Sequence, residues 1–241
     1  GKLELESIPF ELQGVFDRHC IPVVTTAGRP LMHEPLCKAL LQLASLPITD
    51  FYRVPMLDLI SFPLYRAAVE PETSASYRPE QWKMVVAALR ITHGRQEWER
   101  LKRAGQSVCM VNGEDADAIE RLPVQIAPGV TAFCWQVVEG LLTACEALPT
   151  SGTVGQLVDA CQQLAFHHLR RPEPDGAEDE DAQGLRLCSA WEEIERTWAT
   201  LRALDALGEE LSWANFVELL THALERASVP IHHGAHHGVM V

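Results

Sequence analysis

The sequence predicts a mainly α protein, and three observations carry that reading: apolar residues recur at helical spacing over most of its 241 positions, capping patterns precede several of those runs, and β-branched runs occur only near the two ends. Hydrophobic residues make up 47% of the chain and charged residues 22%, which is enough apolar material for a sizeable core and unlike a disordered chain.

The elements follow in order. A first helical stretch ends near Arg18 and leads into the β-branched run 21–26. From Pro35 to Leu46, residues Leu36, Ala39, Leu40 and Leu43 fall on one face, with a proline suited to the first turn. Val54 to Ile60 gives a shorter helix. Pro79 opens a run in which Trp82, Val85, Val86 and Leu89 share a face, and Gly94 separates it from a second segment, Arg95 to Ala104. These two segments predict a helical hairpin with Trp82 and Trp98 in the core. Val130 to Leu148 reads as one long helix. Thr153 and Gln156 have capping-box spacing and head a helix to about Leu169. Ser189 and Glu192 show the same spacing, which predicts a helix from there to about Leu207, and Ser212 is placed to cap a last helix from Trp213 to about Ala227. The closing run Val239 to Val241 is a second strand signal. Unpaired apolar strands are an aggregation hazard, so partners outside this chain are expected, and the chain reads as a helical insertion taken from a larger α/β domain.

Charge restricts the possible partners. The net charge is −13, and its distribution is uneven: residues 1–110 hold 13 Lys and Arg against 12 Asp and Glu, whereas residues 111–241 hold 7 against 21. Part of that acidity is the run 172–181, whose like charges, prolines and glycine predict a solvated loop, assigned to 172–184. Its spacing does not match a calcium-binding loop. The seven cysteines lack a Cys-x-x-Cys pair and read as buried thiols. No apolar run is long enough for a membrane span and no signal peptide opens the chain, so a cytoplasmic protein without a membrane partner is expected. His232, His233, His236 and His237 could take up a transition metal adventitiously, but a native site needs a rigid ligand set and an ordered surround, so no metal site is assigned.

The segment from Phe10 to Leu31 resembles the part of UvrD/Rep-type superfamily 1 helicases in which a helix leads through Ile-Pro to a short strand and a glycine-containing turn. Pro35 to Leu46 and Leu57 to Tyr65 resemble the helix pair that follows in AddB-type helicase/nuclease subunits of double-strand-break repair. Gly94 to Leu101 is similar to a Gly, Trp and Arg-Leu motif of that family, and Gly238 to Val241 looks like the start of the fifth helicase motif. The resemblance implies a 2B-like insertion domain between the fourth and fifth motifs. Residues 1–66 would then be the entry segment, 67–230 the helical domain and 231–241 the return loop with the beginning of the motif-five strand.

That placement implies a non-catalytic domain that steers duplex DNA or contacts a partner subunit in an ATP-dependent parent. ATP and magnesium are expected for the parent. No cofactor is expected for this chain, which has no phosphate-binding glycine loop, no nuclease constellation and no nucleophile motif around Ser107, His93 or Asp58. The nucleic-acid-binding candidates are Arg95, Arg100 and Arg103, in a basic stretch over 78–103, with Arg29 in a Gly-Arg-Pro turn. An independent all-α protein-interaction domain is the alternative.

Overall fold

The structure is a computed structural model that describes residues 28–67, 77–105, 109–112, 123–173 and 182–229. The chain begins with a two-residue strand β1 (Arg29–Pro30) and a 3-10 turn (Leu31–His33), then forms α1 (Pro35–Ser45) and α2 (Arg53–Ile60). Helices α3 (Pro79–Ala88), α4 (Arg95–Trp98) and α5 (Arg100–Ala104) lead to a hairpin of β2 (Cys109–Asn112) and β3 (Pro123–Ile126). The long helix α6 (Pro128–Glu146), strand β4 (Ser151–Thr153) and helix α7 (Val154–His168) come next. Helix α8 (Ala182–Ala203), a second 3-10 turn (Leu204–Leu207), β5 (Glu210–Ser212), α9 (Trp213–Arg226) and β6 (Ser228–Val229) complete the described chain.

Two helical groups share one core. Helices α1, α7, α8 and α9 pack on one another, while α6 packs against α3, α4 and α5, and its contact with α7 joins the groups. The hydrophobic cluster runs from Leu31 to Val229 and includes residues on both sides of position 66. Trp82, Trp98, Trp191 and Trp198 are its largest fully buried side chains. Each buried large apolar side chain contributes about 1.5–3 kcal/mol relative to exposure. Two buried indoles also make directed contacts: the Trp98 Nε1 donates to the Phe51 carbonyl at 2.9 Å, and that of Trp213 donates to the Ala44 carbonyl at 2.9 Å, tying α9 to α1.

The predicted mainly α class holds, and most helices fall where periodicity put them. The Thr153 capping box forms: its hydroxyl accepts from the Gln156 amide, and the Gln156 side chain accepts from the Thr153 amide. Ser212 caps α9 by accepting from the Asn215 amide. Ser189, in contrast, caps nothing. It lies inside α8, where its hydroxyl donates to the Leu185 carbonyl at 3.0 Å, because a Ser-x-x-Glu spacing also arises within a continuous helix. Helix α8 begins at Ala182, so the acidic loop cannot extend to 184; residues 174–181 lie outside the described chain. The segment 95–104 is two short helices interrupted at Glu99.

Strands are not confined to the ends, which corrects the sequence expectation. Cys109 pairs with Ile126 and Asn112 with Pro123 in the β2–β3 hairpin, and β4 pairs antiparallel with β5. These strands were illegible because each is too short to show alternation and rests on helices for support. Arg29 pairs with Val229 and Pro30 with Ser228, so the chain enters and leaves the helical body side by side. The Leu31 amide extends this pairing by donating to the Ala227 carbonyl at 3.0 Å. The strand expected at 21–26, the run 238–241, the helix ending near Arg18 and the four tail histidines all lie outside the described residues. No helix among the described residues is long and apolar enough to cross a membrane.

Candidate nucleic-acid interface

The basic stretch is built on a turn that the sequence around Gly94 requires. Gly94 has φ 75° and ψ 141°, a region that side chains other than glycine rarely enter. A Cβ placed there would come within 3.3 Å of Asp50 Oδ2. The turn is stitched to the one after α1: the Gly94 amide donates to the Asp50 carbonyl and the Arg53 amide to the Thr92 carbonyl, each at 2.7 Å. Asp50 and Phe51 take positive φ angles of 49° and 55°, so both turns are locally costly and hold each other in place.

Glu97 completes this knot. Its carboxylate accepts from the Thr92 amide at 2.7 Å, the Thr92 hydroxyl at 2.8 Å and the His93 amide at 3.2 Å. These bonds hold its carboxyl down to about 2, with the Thr92 amide the leading cause. The indole of Trp98 fills the space behind the turn, and Leu101 is buried one turn further on. Gly94, Glu97, Trp98 and Leu101 therefore form an architectural staple.

The candidate arginines separate under this geometry. Arg95 bonds the Glu146 carboxylate at the end of α6 and pairs with Glu99 at 3.4 Å. Arg100 donates to the Leu89 and Arg90 carbonyls, both at 3.1 Å, where α3 ends, and pairs with Glu97 at 3.4 Å. It satisfies carbonyls that the helix terminus leaves without partners. Arg103 is exposed and forms no ion pair with another described residue. Glu99 interrupts the single helical segment expected over Arg95 to Ala104, and two of the three candidate arginines in it are bound internally. The exposed cations on this side are Arg78, Lys83, Arg90, Lys102 and Arg103, of which Lys83 lies 3.8 Å from Asp58.

Arg29 is held elsewhere. It lies 3.8 Å from the carboxylate of Glu34, which is 1% exposed and also accepts two bonds from Arg186 at 3.2 and 3.0 Å. This arrangement fastens the entry strand to α8 and brings together residues 152 positions apart in sequence. Neither Glu34 nor Glu146 was recognisable beforehand, because their partners are distant along the chain. His93 and Asp58, doubted as catalytic groups from sequence, are exposed and occupied by a turn and an ion pair respectively.

No group of three or more His, Cys, Asp or Glu side chains among the described residues is arranged to hold a metal ion. Burial pushes the thiols of Cys37, Cys145 and Cys161 up to about 12, with nearby carboxylates adding to the effect at Cys37 and Cys145. Comparison of the chain with family models, with curated proteins and with solved structures finds no match.

Proposed function

We propose that this chain is a non-catalytic, 2B-like helical module inserted in an ATP-dependent DNA helicase or helicase/nuclease subunit, where it contacts forked DNA or a partner subunit. The observation that carries the proposal is the pairing of β1 with β6, which brings the entry and exit of the helical body together. A body closed in this way can interrupt a host domain without separating the host's own elements. The order of the resembling segments along the sequence supports a helicase host.

Any DNA contact by the basic stretch would fall to Arg78, Arg90, Lys102 and Arg103, its exposed cations outside the ion pairs above, the last three of which are tested here. The test is forked-duplex binding by the intact parent carrying Arg90→Glu, Lys102→Glu and Arg103→Glu, followed by fluorescence anisotropy across a salt series. Loss of phosphate contacts lowers the salt slope by about one unit per contact. Unchanged affinity and slope would remove DNA steering from the proposal.

A second reading, an all-α protein-interaction domain with no role on DNA, is favoured by the internal neutralisation of Arg95 and Arg100 and by the excess of carboxylates after residue 110. Selective protein binding with no effect of the charge reversals on DNA would support it.

A further inference from the structure

An apolar groove with no lining residue from the basic stretch lies between the N-terminus of α7, the second 3-10 turn, β5 and α9. Val154, Leu204, Leu207, Leu211 and Leu219 line it with Glu209 and Asn215, and it encloses about 290 Å³. Leu207 is 71% exposed and Leu204 37%, although both stand on a firmly held turn. The Asp205 carboxylate accepts from the Gly155 amide at 2.9 Å, which fastens the turn to the start of α7. Gly208, at φ 67°, closes the turn, and β5 is paired to β4 immediately after it. The turn thus presents its leucines to solvent in a preorganised position, without a loop that must be ordered on binding.

The surrounding charge selects what can occupy the groove. No Lys or Arg lies between Arg202 and Arg226, whereas Asp205, Glu209, Glu210, Glu218 and Glu225 all do. Arg202 itself bonds Asp159 and Gln162. A nucleic acid or an anionic membrane would be repelled, and a second copy of this chain would bring another net charge of −13. The volume suits one or two large apolar side chains and lies at the lower edge of the range for small-molecule sites. We propose that this groove docks a cationic amphipathic helix of a partner protein, which plants a large apolar side chain against Leu204 and Leu207 and sets Lys or Arg beside Glu209 and Glu210. Helices bind such grooves through apolar residues at helical spacing, and complementary charge adds rate and selectivity. This goes beyond the helicase reading and does not depend on it.

The probe is a fluorescein-labelled helical peptide of leucine and lysine, with leucine at positions i, i+3, i+4 and i+7, measured by anisotropy against the full chain. A peptide of the same pattern with glutamate in place of lysine is the charge control. The proposal expects the lysine peptide to bind, Leu207→Gln to weaken it about tenfold as loss of a central apolar anchor does, and the pair Glu209→Lys with Glu210→Lys to weaken it as well. Leu185→Gln, at an exposed leucine on α8 away from the groove, should change nothing. Circular dichroism of each variant checks the fold. Binding that is insensitive to Leu207→Gln, equal binding of the glutamate peptide, or no binding of the lysine peptide would each overturn the proposal. Self-association of the chain that Leu207→Gln abolishes would also overturn it, by giving the groove to a second copy.

Discussion

Lowering the pH toward 5 should destabilise this protein through one buried histidine. His168 ends α7 with its ring fully buried and stacked on Tyr65, the centroids 5.8 Å apart and the planes 10° from parallel. The Tyr65 hydroxyl and His168 Nδ1 are 3.4 Å apart, and Nε2 has no hydrogen-bond partner among the described residues. Burial chiefly, with His167 beside it, pushes His168 down to about 4 from its ordinary 6.5. The fold therefore favours the neutral ring. Above pH 6.5 neither folded nor unfolded chain carries the proton, and stability does not depend on this group. Between 6.5 and about 4 the unfolded chain takes up a proton that the fold refuses, so stability falls as the pH falls, and below about 4 both states are protonated and the loss levels off. The full gap corresponds to about 3 kcal/mol, of which about 2 kcal/mol is lost between about pH 7 and about pH 5. Urea unfolding across this range, in Tyr65→Phe and in Tyr65→Phe/His168→Phe, isolates the effect from the carboxylates and from the tyrosine hydroxyl. The double variant should lose most of the slope that the single variant retains. Equal slopes in the two proteins would refute this account of the buried ring.

Two further substitutions test the described geometry. Gly94→Ala should cost about 1–3 kcal/mol, because alanine must either adopt a glycine-only conformation or release the turn bound to Asp50, and an unaltered thermal midpoint would contradict that strain. Glu34→Gln keeps the shape of a nearly fully buried side chain but removes the charge that Arg29 and Arg186 share; with both arginines partly exposed, a loss of about 1–2 kcal/mol in urea unfolding is expected, and amide exchange should rise at β1 and β6.

What the sequence disclosed was local. Leu36, Leu40 and Leu43 announce α1 through their spacing, and Thr153 with Gln156 announces the start of α7, because both signals depend on residues within a turn or two. The same locality explains the error at Ser189: a capping pattern and the interior of a long amphipathic helix look alike over four residues, and only the pairing of earlier turns shows that α8 has already begun. The surroundings of the basic stretch were hidden for the opposite reason. Arg95 pairs with Glu146, 51 residues away, and Arg100 is held by carbonyls at the end of α3 as well as by Glu97, so charge counted along the chain overstated the charge available to a ligand. The apolar groove at Leu207 is not legible in the sequence because Val154, Leu204, Leu207, Leu211 and Leu219 come from α7, a turn, a strand and α9, which only the fold assembles.

The insertion proposal meets its most direct test in the forked-duplex affinity of the intact parent, measured with and without the helical body. Because Pro30 lies opposite Ser228, a short glycine-serine turn can replace residues 31–227 without separating β1 from β6. The account predicts that the shortened parent keeps DNA-stimulated ATP hydrolysis while its affinity for the fork or for its partner subunit falls about tenfold, a difference of about 1.4 kcal/mol. Unchanged affinity for both, or a parent that neither binds DNA nor hydrolyses ATP before the excision, would contradict it.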